Sequence, residues 1–416
     1  MNTRLTRRAA AFSFALLMAA GLVAPPALPA QSRRTPPQAP QKKNPRPDEQ
    51  PANTDPQLKQ EPQEPIPPDV LKEQEVVKVA SNIVQVEAVV YHKKTGQIVM
   101  NLKKENFAIF EDNIQREVSN FSTPEAPITV AVVLEYSKLG QQLGLAGSMG
   151  MEPGQYEVLR PMAAFLQQFI KPPDDYVSVI AYDMRATPLT DFTNDPGRIG
   201  QVISLLLRNQ PAFSEANLFD ALKLTLSGGR ADSVVLENSE KATQEYAGMT
   251  SIQGRRKAVF LISSGIDTFS KINYDEARKI TQNAGVPIYI IGTGNMFFKR
   301  YGDRLDAQDG IGGSISPGRM SFLQAQNTLK TFADETGGAY FPMTFPGEIP
   351  SILGSINAMM RNQYSLAYSA GERRDGKRHK IDVKVDVNGD GVYDDKEFVV
   401  KARRYYNSPK ADGAKK

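Results

Sequence analysis

The chain has 416 residues, 40% of them hydrophobic, with 50 basic and 46 acidic side chains, two histidines and no cysteine. Without cysteine there is no disulfide, no thiol chemistry and no lipid-modified cysteine. Three arginines and no acid fall in residues 1–30, so the remainder carries 47 basic against 46 acidic groups. That balance argues against a nucleic-acid-binding surface.

Residues 1–30 read as a secretory signal. Arg4, Arg7 and Arg8 form a positive start, Ala9 to Val23 is largely apolar, and small residues follow at Ala27 and Ala30. Such a segment is too short and wrongly flanked for a stable membrane span, and no later apolar run is long enough for one. The expected location is therefore secreted or periplasmic. Eleven of the 38 residues from Gln31 to Pro68 are proline. The 31–75 segment is expected to be a disordered, extended linker, because it lacks the apolar content to offset ordering entropy. The tail from Arg403 to Lys416 is basic and is expected to be a frayed, solvated terminus, disordered over 408–416.

Residues 76–125 alternate like an antiparallel β-unit. Ile83–Tyr91, Phe107–Phe110 and Arg116–Phe121 read as strands, separated by turn-forming stretches. From about 126 to 370, apolar strand runs alternate with segments of helical period. The strand candidates are Ile128–Leu134, Tyr176–Tyr182, Ala258–Ser263 and Pro287–Ile291. The helix candidates are Tyr156–Ile170, Gly197–Leu207, Asn217–Leu226, Tyr274–Ala284, Phe322–Thr336 and Pro350–Asn362. This order predicts an α/β fold with a doubly wound, mostly parallel sheet. Met296 to Ser321 is rich in glycine and is expected to be a mobile loop at the sheet edge. In 371–407, Arg378–Val385 and Glu397–Ala402 read as a β-hairpin that could join the N-terminal strands.

The order of several pieces resembles von Willebrand factor A-type (VWA) proteins, more narrowly the VWA-related family of acidobacterial genomes. The pieces are Val84–Val90, Leu102–Asp112, the strand ending at Leu134, Asn217–Leu222, Arg256–Ile262, Gln363–Leu366 and Asp375–Ile381. The resemblance implies a metal-ion-dependent adhesion site at the carboxyl edge of the sheet. Its usual ligands are an Asp-x-Ser-x-Ser loop, a threonine and a second aspartate. Matched to that pattern, Glu135 stands for the first Asp, Ser137 for the first Ser and Leu139 for the second Ser. Ala216 stands for the Thr, with Asn217 beside it, and Ser264 for the later Asp. One carboxylate and two hydroxyls form a poor Mg²⁺ set, since carboxylates anchor that ion. Glu215 and Asp267 are nearby acids that could substitute. The same polar residues could instead cap loops and helix starts. A metal-free surface for protein contacts, built from Glu135, Ser137, Glu215, Asn217, Ser264 and Asp267, is the third reading.

The segment from Asp386 to Glu397 fits the D-x-[DN]-x-[DN]-G-x₅-E calcium-loop pattern at every position. Asp386, Asn388, Asp390, the Val392 carbonyl, Asp394 and Glu397 are the candidate Ca²⁺ ligands. Strand-like flanks replace the helices of an EF-hand, and a polar turn is the competing reading. No P-loop, G-x-S-x-G elbow or H-E-x-x-H occurs, and both His92 and His379 read as solvated strand residues. The residues thus favour a non-catalytic, exported module that binds protein at the cell envelope. The alternatives are a metal-assisted hydrolase using Glu135, Glu215 or Asp267, and a calcium-stabilised structural protein.

Overall fold

The computed structural model describes residues 83–410, except 139–154, 170, 231–244, 253–254, 307–316 and 372. The segments expected to be a signal (1–30) and a linker (31–75), and residues 411–416, lie outside the described residues. Strands β1 (Ile83–His92), β2 (Phe107–Glu111), β3 (Ile114–Arg116) and β4 (Val118–Ser122) come first. The α/β region follows with β5 (Ile128–Glu135), α1 (Gln155–Phe169), β6 (Tyr176–Tyr182) and β7 (Ala186–Pro188). Then come α2 (Pro196–Arg208), α3 (Leu218–Ser227), β8 (Gly229–Arg230), β9 (Glu245–Tyr246) and β10 (Arg256–Ser263). It ends with α4 (Tyr274–Ala284), β11 (Ile288–Gly292), α5 (Gly294–Tyr301), α6 (Arg319–Thr336), β12 (Tyr340–Pro342) and α7 (Ile349–Arg361). Strands β13 (Tyr364–Ser369), β14 (Arg378–Val385), β15 (Phe398–Ala402) and β16 (Tyr405–Asn407) close the chain.

The central sheet has the order β12-β11-β10-β5-β6-β7, parallel throughout except for the edge strand β7. Every residue of β5 is buried, as expected for a strand covered on both faces. Its pleat divides the side chains. Ile128, Val130, Val132 and Leu134 pack with apolar residues of α1, α2 and α7. Ala131 and Val133 pack with residues of α3, α4 and α6. Local chemistry sets the helix ends. Asp195 caps α2 ahead of Pro196, Asn273 and Glu276 form a capping box on α4, and left-handed glycines end α4 and α6.

The N- and C-terminal strands form two antiparallel sheets, β15-β1-β13-β4 and β16-β14-β2-β3. Alternate residues of both, including Val84, Val86, Phe107, Ile109, Leu366, Ile381 and Val383, share one core. This is a β-sandwich assembled from both sides of the α/β region.

Three expectations need correction. The 371–407 hairpin does not form: β14 pairs with β2 and β16, while β15 pairs with β1 in the other sheet. A long polar loop between the two strands lets them reach different partners. Gly294–Tyr301, at the start of the supposed 296–321 loop, is helical, with Met296 buried. The basic end is also not frayed as far as it is described. Arg403 and Ser408 are buried, and Asp375 bridges to Lys410.

The β15–β16 turn is fastened to the α/β region. Arg403 donates to the carbonyls of Gln282, Tyr405 and Gln85. Gly337, at φ +85°, is needed where it stands, because a Cβ there would meet the Ala402 carbonyl carbon at 2.6 Å.

Candidate functional site

The parallel strands β5 and β10 run side by side, Leu134 opposite Ile262, so their carboxyl ends share one rim. Glu135 ends β5, and Ser263 and Ser264 end β10. The longer glutamate side chain spans the gap. Its Oε1 accepts from the Ser137 hydroxyl at 3.0 Å and the Ser264 hydroxyl at 3.0 Å. Its Oε2 accepts from the Ser264 backbone N–H at 2.6 Å and the Ser263 hydroxyl at 3.2 Å. Tyr182, at the end of β6, donates to Ser263 at 2.7 Å and lies 3.4 Å from Glu135. Burial pushes the Glu135 carboxyl above its ordinary value, and the bonds from Ser264, Ser137 and Ser263 resist that rise.

The structure therefore brings Glu135, Ser137 and Ser264 together. Tyr182 and Ser263 are the partners that sequence reasoning missed. Their positions at strand ends were visible, but nothing local marked the tyrosine as pointing at the rim.

The other edge candidates have separate structural tasks. Asp267 accepts from Ser270 Oγ at 2.5 Å and from the Phe219 N–H at 3.3 Å, at the start of α3. Ser270 Oγ accepts from Phe219 and Asp220 as well, satisfying first-turn donors of that helix. Burial raises the Asp267 carboxyl, with the Ser270 and Phe219 bonds opposing. Glu215 accepts from the Ser214 N–H at 3.1 Å. Asn217 Nδ2 donates to Met184 O at 3.1 Å, while its buried Oδ1 has no partner. Ala216 is held by Thr268, whose Oγ1 accepts from the Ala216 N–H at 2.9 Å. Beside this rim a cavity of about 470 Å³ is lined by Phe219, Asp267, Tyr274, Gln324 and neighbouring residues.

The 386–397 loop folds around its first residue. The Asp386 carboxylate accepts from the N–H groups of Gly389 at 2.7 Å, Asp390 at 3.2 Å and Gly391 at 2.8 Å. Asp390 accepts from the Val392 N–H at 2.8 Å, and Asp394 from the Val387 N–H at 2.8 Å. Gly389 and Gly391 both have positive φ, which the tight winding requires. Asn388 touches Asp390 at 3.0 Å, and the Glu397 side chain is exposed. The oxygens needed for a Ca²⁺ shell thus lie on one short, wound loop.

His379 differs from expectation. It is buried in the sandwich, not solvated, with Nδ1 2.7 Å from Asp112 and Nε2 3.1 Å from Asp375. Burial lowers its pKa, but the bonds to the two aspartates outweigh burial and hold it above its ordinary value. Glu111, Asp112 and His379 place ligand atoms within 4.8 Å of one another. Glu111 is already held by Arg116 at 2.8 Å and Arg373 at 3.0 Å, a donor set that competes with a cation.

No family model and no curated protein matches this chain. Solved structures similar to it include the PilB minor pilin of Streptococcus sanguinis, at 12% identity and TM-score 0.38. The match covers 57% of this chain and 62% of that one, under two thirds of the pilin's own length. The vWF domain of the type V pili tip protein Mfa5 from Porphyromonas gingivalis matches at 14% identity and TM-score 0.35, over 57% of this chain and 95% of that one. Proximal thread matrix protein 1 of the mussel byssus, with a zinc-occupied MIDAS motif, matches at 13% identity and TM-score 0.36, over 61% and 50%. Among the described residues, no helix is long and apolar enough to cross a membrane.

Proposed function

We propose that the chain is an exported, non-catalytic VWA-type module that binds a protein partner at the cell envelope through the rim of its parallel sheet. The observation that carries this reading is the occupancy of Glu135. Both of its oxygens are engaged by hydroxyls and a backbone N–H, so it is poorly placed to serve as a metal ligand or a general base. Mg²⁺ favours near-octahedral oxygen coordination, typically with carboxylates, whereas this rim brings one carboxylate to serines. Glu215 and Asp267, the other acids of a hydrolase reading, are committed to loop and helix-start bonds. The rim instead reads as a protein-contact surface, with Phe213 exposed beside it and its carbonyl bonded to the Lys138 N–H.

Calcium belongs to the second part of the proposal. The 386–397 loop takes Ca²⁺ through Asp386, Asn388, Asp390, the Val392 carbonyl, Asp394 and Glu397. There the ion braces the connection between β14 and β15, in a chain that has no disulfide. The test of the binding function is crosslinking and pull-down from envelope extract with the wild type and a Phe213→Asp variant. Loss of a discrete set of partners in the variant supports the rim as the contact surface; identical recovery removes it.

A further inference from the structure

Pleat alternation in β1 sends Val84, Val86, Ala88 and Val90 into the sandwich core, which places Glu87 on the opposite face. Glu87 is only 3% exposed there. Its Oε1 accepts from Gln85 Nε2 at 2.7 Å and from Ser365 Oγ at 2.9 Å. Its Oε2 is buried with no partner.

Next to it lies Arg256, at the start of β10 and also fully buried. Its Nε donates to Ala126 O at 2.8 Å, and its Nη1 to Met360 O at 2.9 Å. Ala126 belongs to the segment entering the α/β region, and Met360 to the helix leaving it. One guanidinium therefore ties both crossings to the central sheet. Gln363, in the exit segment, is 1% exposed, and neither atom of its side-chain amide has a partner. The buried Tyr289 hydroxyl of β11, within electrostatic reach of Glu87 and Arg256, is unpartnered too. Unsatisfied buried polar groups are rare and costly, and here they gather at the joint between the sandwich and the parallel sheet.

We propose that Glu87 is the switch of a pH-sensitive joint: protonated, it allows the sandwich to seat closely on the sheet; ionised, it loosens the contact around Arg256, Gln363 and β13. A neutral carboxyl can donate from the oxygen that now has no partner, and the unpartnered Gln363 carbonyl is an acceptor of the right kind. An ionised carboxylate places a charge in a buried site without a direct ion pair.

The charges facing Glu87 work against each other. Burial raises its pKa to about 7, while bonds from Ser365 and Gln85 and the positive charges of Arg256 and Lys257 oppose the rise. Tyr289 of β11 is within electrostatic reach of it, and the Arg361–Asp175 ion pair, at 2.6 Å, acts on Arg256. Because the folded value lies above the unfolded one, stability falls as pH rises from the ordinary carboxylate value through neutrality. The neighbouring strands β5 and β10 run from this joint to the Glu135 rim.

The test compares the full chain with Glu87→Gln, by thermal unfolding and amide hydrogen exchange across the neutral range. The wild type is expected to lose melting temperature from mildly acid to mildly alkaline pH. Exchange in 361–369 and 84–90 should then rise by about tenfold or more. Glu87→Gln should keep the acid-side behaviour throughout; the His379 contribution is common to both proteins and cancels in their difference. Ser365→Ala, which removes a donor to the charged form, should move the midpoint to higher pH. A Glu87→Gln variant that follows the wild-type course, or a Ser365→Ala midpoint that does not move, overturns the proposal.

Discussion

At the rim of the parallel sheet a single buried carboxylate is surrounded by donors, whereas the 386–397 loop carries five acids, most of them open to solvent. Both segments stand where metal ligands are expected from sequence. At the rim Glu135 reaches across to Ser263 and Ser264, and both of its oxygens accept protein donors. The loop carries the acids of the expected pattern, and its backbone is wound about Asp386. The two differ in exposure: Glu135 is enclosed, whereas Asp390, Asp395 and Glu397 face solvent, where like charges repel one another.

The largest expected effect lies at the rim. Glu135→Ala would strand the Ser264 N–H and three hydroxyls in a buried site, costing about 3–4 kcal/mol in urea unfolding. EDTA or Mg²⁺ should not change that loss. A smaller effect is expected at the loop. With about 10 mM Ca²⁺ against a dissociation constant of about 10⁻⁴–10⁻³ M, the wild type should gain about 1.4–2.7 kcal/mol. The double variant Asp390→Ala, Glu397→Ala should gain nothing, as read by calorimetry. Equal responses of the two proteins would remove the loop from the account.

The difference between these regions was only half legible in the sequence. The wholly apolar runs of β5 and β10 announced buried parallel strands, and most helix boundaries fell within a residue or two of those observed. The loop motif named its own residues because its candidate ligands are contiguous. The rim could not be read in the same way. Glu135, Tyr182 and Ser263 come from three strands, and that convergence depends on parallel register, not on spacing. The same limit explains the missing hairpin. The β1 strand pairs with β13, Glu87 opposite Ser365, and such long-range pairing leaves no local mark. His379 looked solvated because alternation alone cannot show that Asp112 and Asp375 close over a strand position.

Smaller effects sharpen the comparison. His379 has its folded pKa raised by Asp112 and Asp375, so its contribution is present below its ordinary value of about 6.5 and is lost as pH rises through the folded value. His379→Gln should therefore cost about 1 kcal/mol in mild acid and less in mild alkali, the half-exposed Asp112 keeping the effect modest. Ser137→Ala, which removes one of several donors to Glu135, should cost about 1 kcal/mol and leave Ca²⁺ binding intact.

The most direct measurement is a calorimetric titration of Mg²⁺ and Mn²⁺ into the purified chain carrying Asp390→Ala and Glu397→Ala, which silences the loop. A rim closed by its own donors gives no saturable heat at millimolar metal. Saturable binding that disappears on Glu135→Gln would contradict the account.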